Sequence, residues 1–170
     1  MKTRHLLPLV AGLVLTAGLT PLVAASAPAQ DRVTVNFQDP DRFTDVHENR
    51  STATSQYYLD ELKSCLQDAA ARQIGADQKL AITVTDVDLA GDTVLNQPDQ
   101  IRVMKDIYAP HVQLKFQLLA ADGKVLKEGT RNLSDPFYLY QIRLPGSQDP
   151  LYYDKVLLKD WVRSEFREKA

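Results

Sequence analysis

The stretch HVQLKFQLLAADGKVLKEGTRNL, residues 111–133, decides the fold class. Val112, Leu114, Phe116 and Leu118 alternate with Gln113, Lys115 and Gln117, the period-two signature of a strand with one buried face. Asp122-Gly123 supplies a tight hairpin turn, because the glycine accepts the positive φ that such turns require. The return strand, Val125 to Leu133, carries Lys127, Glu128, Gly129, Thr130 and Arg131, and so polar a strand suits a sheet edge.

Working outward, Val33, Val35 and Phe37 alternate in the same way, followed by the turn-forming stretch Asp39-Pro40-Asp41-Arg42-Phe43-Thr44-Asp45. From about Ser55 to Ile74 the spacing becomes helical, with Leu59, Leu62, Leu66, Ala70 and Ile74 on one stripe. Asp60 and Glu61 fall in its early turns, and Gly75 is placed to end it. Leu80, Ile82 and Val84 predict another strand, whose phase slips so that Val87 and Leu89 take the other parity. Either a bulge re-aims the chain near Thr85 or both faces of this strand are covered. Residues 90–110 are irregular, with a short strand at Ile101 and Val103. Asp149-Pro150 reads as the N-cap and first position of a last helix running to about Phe166, with Tyr153, Leu157, Leu158, Trp161 and Val162 on its apolar face. Strands and helices in this order predict a single α+β domain: a mainly antiparallel sheet of four to five strands with two helices packed on one face.

Composition narrows the function classes. The chain has 170 residues, 44% hydrophobic and 25% charged, with 7 Gly and 9 Pro, which excludes fibrous, low-complexity and disordered proteins. A formal charge of −2 and a pI near 5.9 lack the basic footprint of a nucleic-acid binder. Lys2 and Arg4 precede an apolar run from Leu6 to about Val23 that ends in small residues, the plan of a secretory signal peptide over residues 1–29. Pro8, Gly12, Gly18 and Pro21 make the same run a poor permanent membrane span. Cleavage fits after Ala25 or after Ala29, the second being preferred, which leaves residues 30–170 as the folded domain in a periplasmic or secreted location. No cysteine near either frame suggests a lipid anchor. Removal of Lys2 and Arg4 leaves 18 basic against 22 acidic residues, a net charge near −4. The single Cys65 rules out an internal disulfide, and its place beside Leu62 and Leu66 reads as a small buried hydrophobe.

Thr85-Asp86-Val87-Asp88-Leu89-Ala90-Gly91 resembles the signature of a proteobacterial exported family catalogued as domain of unknown function 3016. Val35-Asn36-Phe37-Gln38-Asp39-Pro40, Phe43-Thr44-Asp45, Arg102, Lys105-Asp106-Ile107-Tyr108, Pro110, Leu133, Asp135 and Asp160-Trp161 extend the likeness across residues 33–162. The resemblance implies a small periplasmic or secreted protein of Gram-negative bacteria and carries no activity or catalytic residue with it.

The sharpest chemical candidates are Asp86, Asp88 and Asp92. Residues two apart on a strand point the same way, and oxygen ligands so placed could hold Ca²⁺ or Mg²⁺, although the spacing matches no established loop. Alternatively the slip turns them outward to cap turns and keep the strand end soluble. A second group, Asp39, Asp41 and Asp45, would meet the first if the strands at 33–37 and 80–84 are neighbours, making a cation site or a carboxylate pair for acid–base work. No nucleophile elbow, glycine-rich phosphate loop or zinc spacing is present, so no catalytic residue is assigned and no cofactor is expected. Asn49-Arg50-Ser51 and Asn132-Leu133-Ser134 match the glycosylation pattern by chance. Of 13 aromatic residues nine follow residue 100, and Phe137, Tyr138, Tyr140 and Tyr152 could form a platform for a glycan or an envelope protein. Alternatively Phe137 and Trp161 fill the core while the tyrosines ring its edge. The expected function is a non-catalytic binding or accessory module of the cell envelope, with a metal-assisted hydrolase or cation binder using Asp86, Asp88 and Asp92 as the alternative.

Overall fold

The alternation at 111–118 forms the middle of a sheet. The computed structural model describes residues 32–47, 53–93, 102–142 and 149–167. Its elements are β1 (Val33–Phe37), α1 (Gln56–Ala71), β2 (Lys79–Asp88), β3 (Asp92–Thr93), β4 (Arg102–Val103), β5 (His111–Leu119), β6 (Val125–Ser134) and α2 (Tyr152–Phe166), with 3₁₀ turns at Pro40–Arg42 and Tyr138–Tyr140. The leader with its cleavage frames, Asn49 and Ile101 lie outside the described residues.

Four strands pair in the order β1-β2-β5-β6, parallel between β1 and β2 and antiparallel otherwise, while β3 and β4 form a small separate ribbon. A parallel pair needs a crossover, and α1 supplies it. The fold is α+β, with both helices on one face. Val33, Val35, Leu80, Ile82, Val84, Val112, Leu114, Phe116 and Leu118 point at Leu59, Leu62, Leu66 and Ala70 of α1 and Leu157, Leu158, Trp161 and Val162 of α2 in one core. Phe116 meets Trp161 and Phe166 edge-on at centroid distances of 5.8 and 5.5 Å. The polar edge strand β6 is fastened to α2 by one carboxylate, Glu165, which binds Arg131 at 2.7 Å and Lys127 at 2.7 Å. Among the described residues no helix is long and apolar enough to cross a membrane.

Two helix ends differ from expectation. α1 begins as predicted, with Ser55 Oγ accepting the Tyr58 N–H, but no acid lies in its first turn and it closes at Ala71 rather than at Gly75. The N–H groups of Gln73 and Ile74 both return to the Ala70 carbonyl, tightening the last turn so that no left-handed glycine is needed. α2 starts at Tyr152, and Asp149 caps from further upstream by accepting the Leu151 N–H at 2.9 Å while also holding Lys155.

Candidate functional site

The phase slip in β2 is a bulge. Val84 pairs with Leu114 and Asp86 with Gln113, so Thr85 is the extra residue, and beyond it Val87 and Leu89 become the buried ones. Asp86 is left facing the segment after the first 3₁₀ turn. Its carboxylate accepts the Thr44 N–H at 2.8 Å, the Thr44 hydroxyl at 3.0 Å and the Val87 N–H at 2.9 Å. That segment then continues alongside β2, with the Asp45 N–H donating to the Val87 carbonyl and Asp45 standing opposite Asp88.

The glycine turn after β2 is held from three sides. Arg102 on β4 binds Asp45 at 2.7 Å and directs its other guanidinium nitrogen at the carbonyls of Leu89, Ala90 and Gly91, the last at 2.9 Å. Asp154 on α2, fully buried, accepts the Ala90 N–H at 2.9 Å. The Gly91 N–H donates to the Tyr108 carbonyl. Burial raises the Asp154 carboxyl to about 6, with the amides of Ala90 and of Asp154 itself and the Arg102 charge opposing.

The two aspartate groups do meet at this end of the sheet, but in two clefts. Asp39 and Asp86 line one with Arg42 and Thr44; Asp45, Asp88 and Asp92 line the other, of about 400 Å³, with Ile107, Tyr108 and His111. Asp41 joins neither and accepts the Thr54 hydroxyl. The Asp88 carboxyl is pushed up, first by burial and next by the Asp45 charge, with His111 and Arg102 pulling it down. His111 donates from Nδ1 to the Ala109 carbonyl, and its Nε2 lies 3.0 Å from the Ser134 hydroxyl. Among the described residues no three His, Cys, Asp or Glu side chains are placed to hold a metal ion together.

The aromatic segment is tied to the 105–108 loop. Tyr138 is wholly buried, donating its hydroxyl to the Lys105 carbonyl at 2.7 Å and standing edge-on to Tyr153 at 4.8 Å. Around it the chain turns outward: Phe137 is 68% exposed, Tyr140 86% and Ile142 86%, with Leu139 at 40%. Asp135 shapes the turn by accepting the Phe137 N–H and the Gln141 side-chain amide. Tyr152 is half-buried and closes the segment by donating to the Ile142 carbonyl at 2.8 Å.

Residues 31–164 match the family described as "Protein of unknown function (DUF3016)". The chain belongs to the DUF3016 family. A search of curated proteins gives no match. Among solved structures, the dodecamer of a point variant of PelC from Paraburkholderia phytofirmans aligns at 12% identity with a TM-score of 0.36, covering 85% of this chain and 95% of that one, a likeness that supports no functional argument.

In this DUF3016 protein the Thr85–Gly91 motif is built around backbone geometry. Gly91 has φ +80°, and a Cβ there would lie 2.7 Å from the Met104 sulfur and 2.9 Å from the Val103 carbonyl oxygen. Gly91→Ala should therefore cost about 2 kcal/mol or more, read as a lowered urea midpoint with an unchanged slope. An unaltered midpoint would show that the turn relaxes without loss.

Of the four aromatic candidates, only Phe137 and Tyr140 present their rings to solvent. Tyr138 is corrected from a contact residue to a buried pin, whereas Phe137 lies on the surface as the platform reading has it and not in the core, because a single 3₁₀ turn directs Phe137 and Tyr140 outward together and Tyr138 inward. Leu139, Ile142 and Ile107, the last 73% exposed, were not anticipated. Arg102 and Asp154 were also missed. Asp154 does carry a signal: it stands at the head of the apolar stripe of Leu157, Leu158, Trp161 and Val162, where an acid is out of place.

Proposed function

We propose that this protein is a non-catalytic binding or accessory module of the bacterial cell envelope, exported by its N-terminal leader, and that residues 137–142 are its contact surface. One observation carries this reading: four large apolar side chains, Phe137, Leu139, Tyr140 and Ile142, project from a turn that is itself fixed from below by the buried Tyr138. Exposed apolar side chains clustered on a rigid support are how binding surfaces are made, since little ordering remains to be done on association. Four polar groups in and around the motif support the same reading from the other side. Asp86, Asp45, Arg102 and Asp154 are all engaged in holding backbone or one another. For the cation-binding alternative through Asp86, Asp88 and Asp92, Asp86 is poorly disposed, as its oxygens already accept three hydrogen bonds and it lines a different cleft from the other two.

The test is photo-crosslinking of the full chain, leader included, in its native host. A benzophenone amino acid replacing Tyr140 should give a discrete adduct with an envelope component that is lost on Ile142→Ser, while the same probe replacing Lys115 on the open sheet face should not. Equal labelling at both positions, or none at 140, overturns the reading. The exported form should begin at Ser26 or Gln30 by mass spectrometry; a chain that keeps its leader and stays in the cytoplasm removes the envelope assignment.

A further inference from the structure

We infer that the partner of the 137–142 turn is a polypeptide segment both apolar and basic, which lays its hydrophobic side chains on Phe137, Tyr140 and Ile142 and sends a Lys or Arg into the cleft of Asp88 and Asp92. This rests on the reading of the turn as the contact surface. Turn and cleft are neighbours through two ties: the Tyr138 hydroxyl holds Lys105, two residues before Ile107 on the cleft wall, and His111 of the cleft bonds Ser134 at the end of β6. Within the cleft, Asp45 is neutralised by Arg102, but neither Asp88 nor Asp92 has an ion pair or a side-chain hydrogen bond among the described residues. Asp106, accepting the N–H of Ile107 on the cleft wall, and Asp135, accepting the N–H of Phe137 on the turn, add negative charge at either element. Opposing them are Lys105, which lies over the Tyr108 ring, and Arg102, already occupied. Two such carboxylates, one of them partly desolvated, beside exposed apolar side chains call for a cation carried on an apolar chain.

The ring geometry favours a peptide over a sugar. Phe137 and Tyr140 are tilted by 49° with centroids 6.3 Å apart, so they present no common plane for a pyranose, and the remaining exposed groups are aliphatic. Alternating basic and apolar side chains of an extended peptide match this mixture of notch and knobs.

The probes are a fluorescein-labelled decapeptide of alternating lysine and leucine, its glutamate–leucine counterpart, and chitohexaose as competitor, read by fluorescence anisotropy. The lysine peptide is expected to bind, with affinity falling as salt rises. Asp88→Asn/Asp92→Asn and Phe137→Ser/Ile142→Ser should each weaken it at least tenfold. Asp60→Asn/Asp122→Asn, acids on exposed surfaces elsewhere, should leave it unchanged and so separate the cleft from general attraction to an acidic protein. Urea midpoints confirm that each variant is folded. The inference is overturned if no lysine peptide binds, if the glutamate peptide binds equally, if chitohexaose displaces the peptide, or if the distant pair of variants weakens binding as much as the cleft pair. A crosslink at residue 140 that survives Asp88→Asn/Asp92→Asn would sink the charge requirement and leave the contact surface standing; absence of any crosslink at residue 140 in the otherwise unaltered protein would sink both.

Discussion

Asp154→Asn is expected to stabilise the protein at neutral pH. Asp154 bears the full cost of burial: one oxygen accepts the Ala90 N–H, and the other has no hydrogen-bond partner among the described residues. Its carboxyl is raised from 3.8 to about 6, mainly by burial. A carboxyl whose folded pKa exceeds its unfolded one binds a proton in the native state that the unfolded chain has already lost. Its contribution is therefore whole below about pH 4 and is lost as pH rises through about 6. At about 1.4 kcal/mol per unit, the loss approaches 3 kcal/mol by pH 8. Asparagine keeps an acceptor for Ala90 and cannot ionise, though its amide meets the same partnerless space, so the net gain should be about 1–3 kcal/mol at pH 8 and near zero at pH 4. Urea unfolding of both proteins at pH 4, 6 and 8 measures it. A difference that does not grow with pH would mean that Asp154 ionises as readily in the fold as in the unfolded chain. Glu165 works in the opposite direction: hydrogen bonds from Arg131 and then Lys127 lower it to about 2, so its contribution is present above about 4.5 and disappears only in stronger acid. Because both proteins keep Glu165, the subtraction isolates Asp154.

Trp161→Ala should be the most damaging single truncation in the core. Trp161 is 5% exposed, with Phe116 at 5.8 Å and Phe166 at 5.7 Å, and its indole N–H points at Glu165 from 3.3 Å. Removing so large a side chain from between two rings leaves a hole the sheet cannot close, at about 3–5 kcal/mol. Trp161→Phe should recover more than half of this, and Tyr140→Ala, at an 86% exposed position, should stay within about 0.5 kcal/mol. Thermal melts followed by circular dichroism would rank the three. A Trp161→Ala melt close to that of the parent protein would show that β5 and α2 repack without it.

How far the amino-acid order disclosed this molecule depended on the length of each pattern. Strand β5 repeats its alternation over enough residues, and the Asp122-Gly123 turn and the polar return strand follow it so closely, that pairing, turn and edge position are all legible, as is the long stripe of α1. The slip at Thr85 was visible as a slip, although alternation alone could not separate a bulge from a strand covered on both faces; the Val84-to-Asp86 register shift decides it. The turn at Tyr138–Tyr140 has one turn only and hence no period to read, so which ring went inward was hidden. The partition of the aspartates was hidden for another reason. It depends on Asp45 running parallel to Asp88, a pairing between segments more than forty residues apart that no local rule encodes. Arg102 emerges from an irregular stretch whose periodicity says nothing of its role, and only the family likeness picks it out.

The hold on the glycine turn also has a bearing on when the protein can be finished. Residues 45, 91, 102, 108 and 154 converge on one small region, and the last of them belongs to α2, the last helix among the described residues. Contacts of such long sequence separation are slow to form, and one of them cannot exist before residue 154 has been synthesised. A nascent chain growing from its N-terminus thus makes β1, α1 and β2 early yet leaves the Ala90 amide without its buried acceptor. Closure of the family motif is a late event in the life of each molecule, set by the arrival of α2.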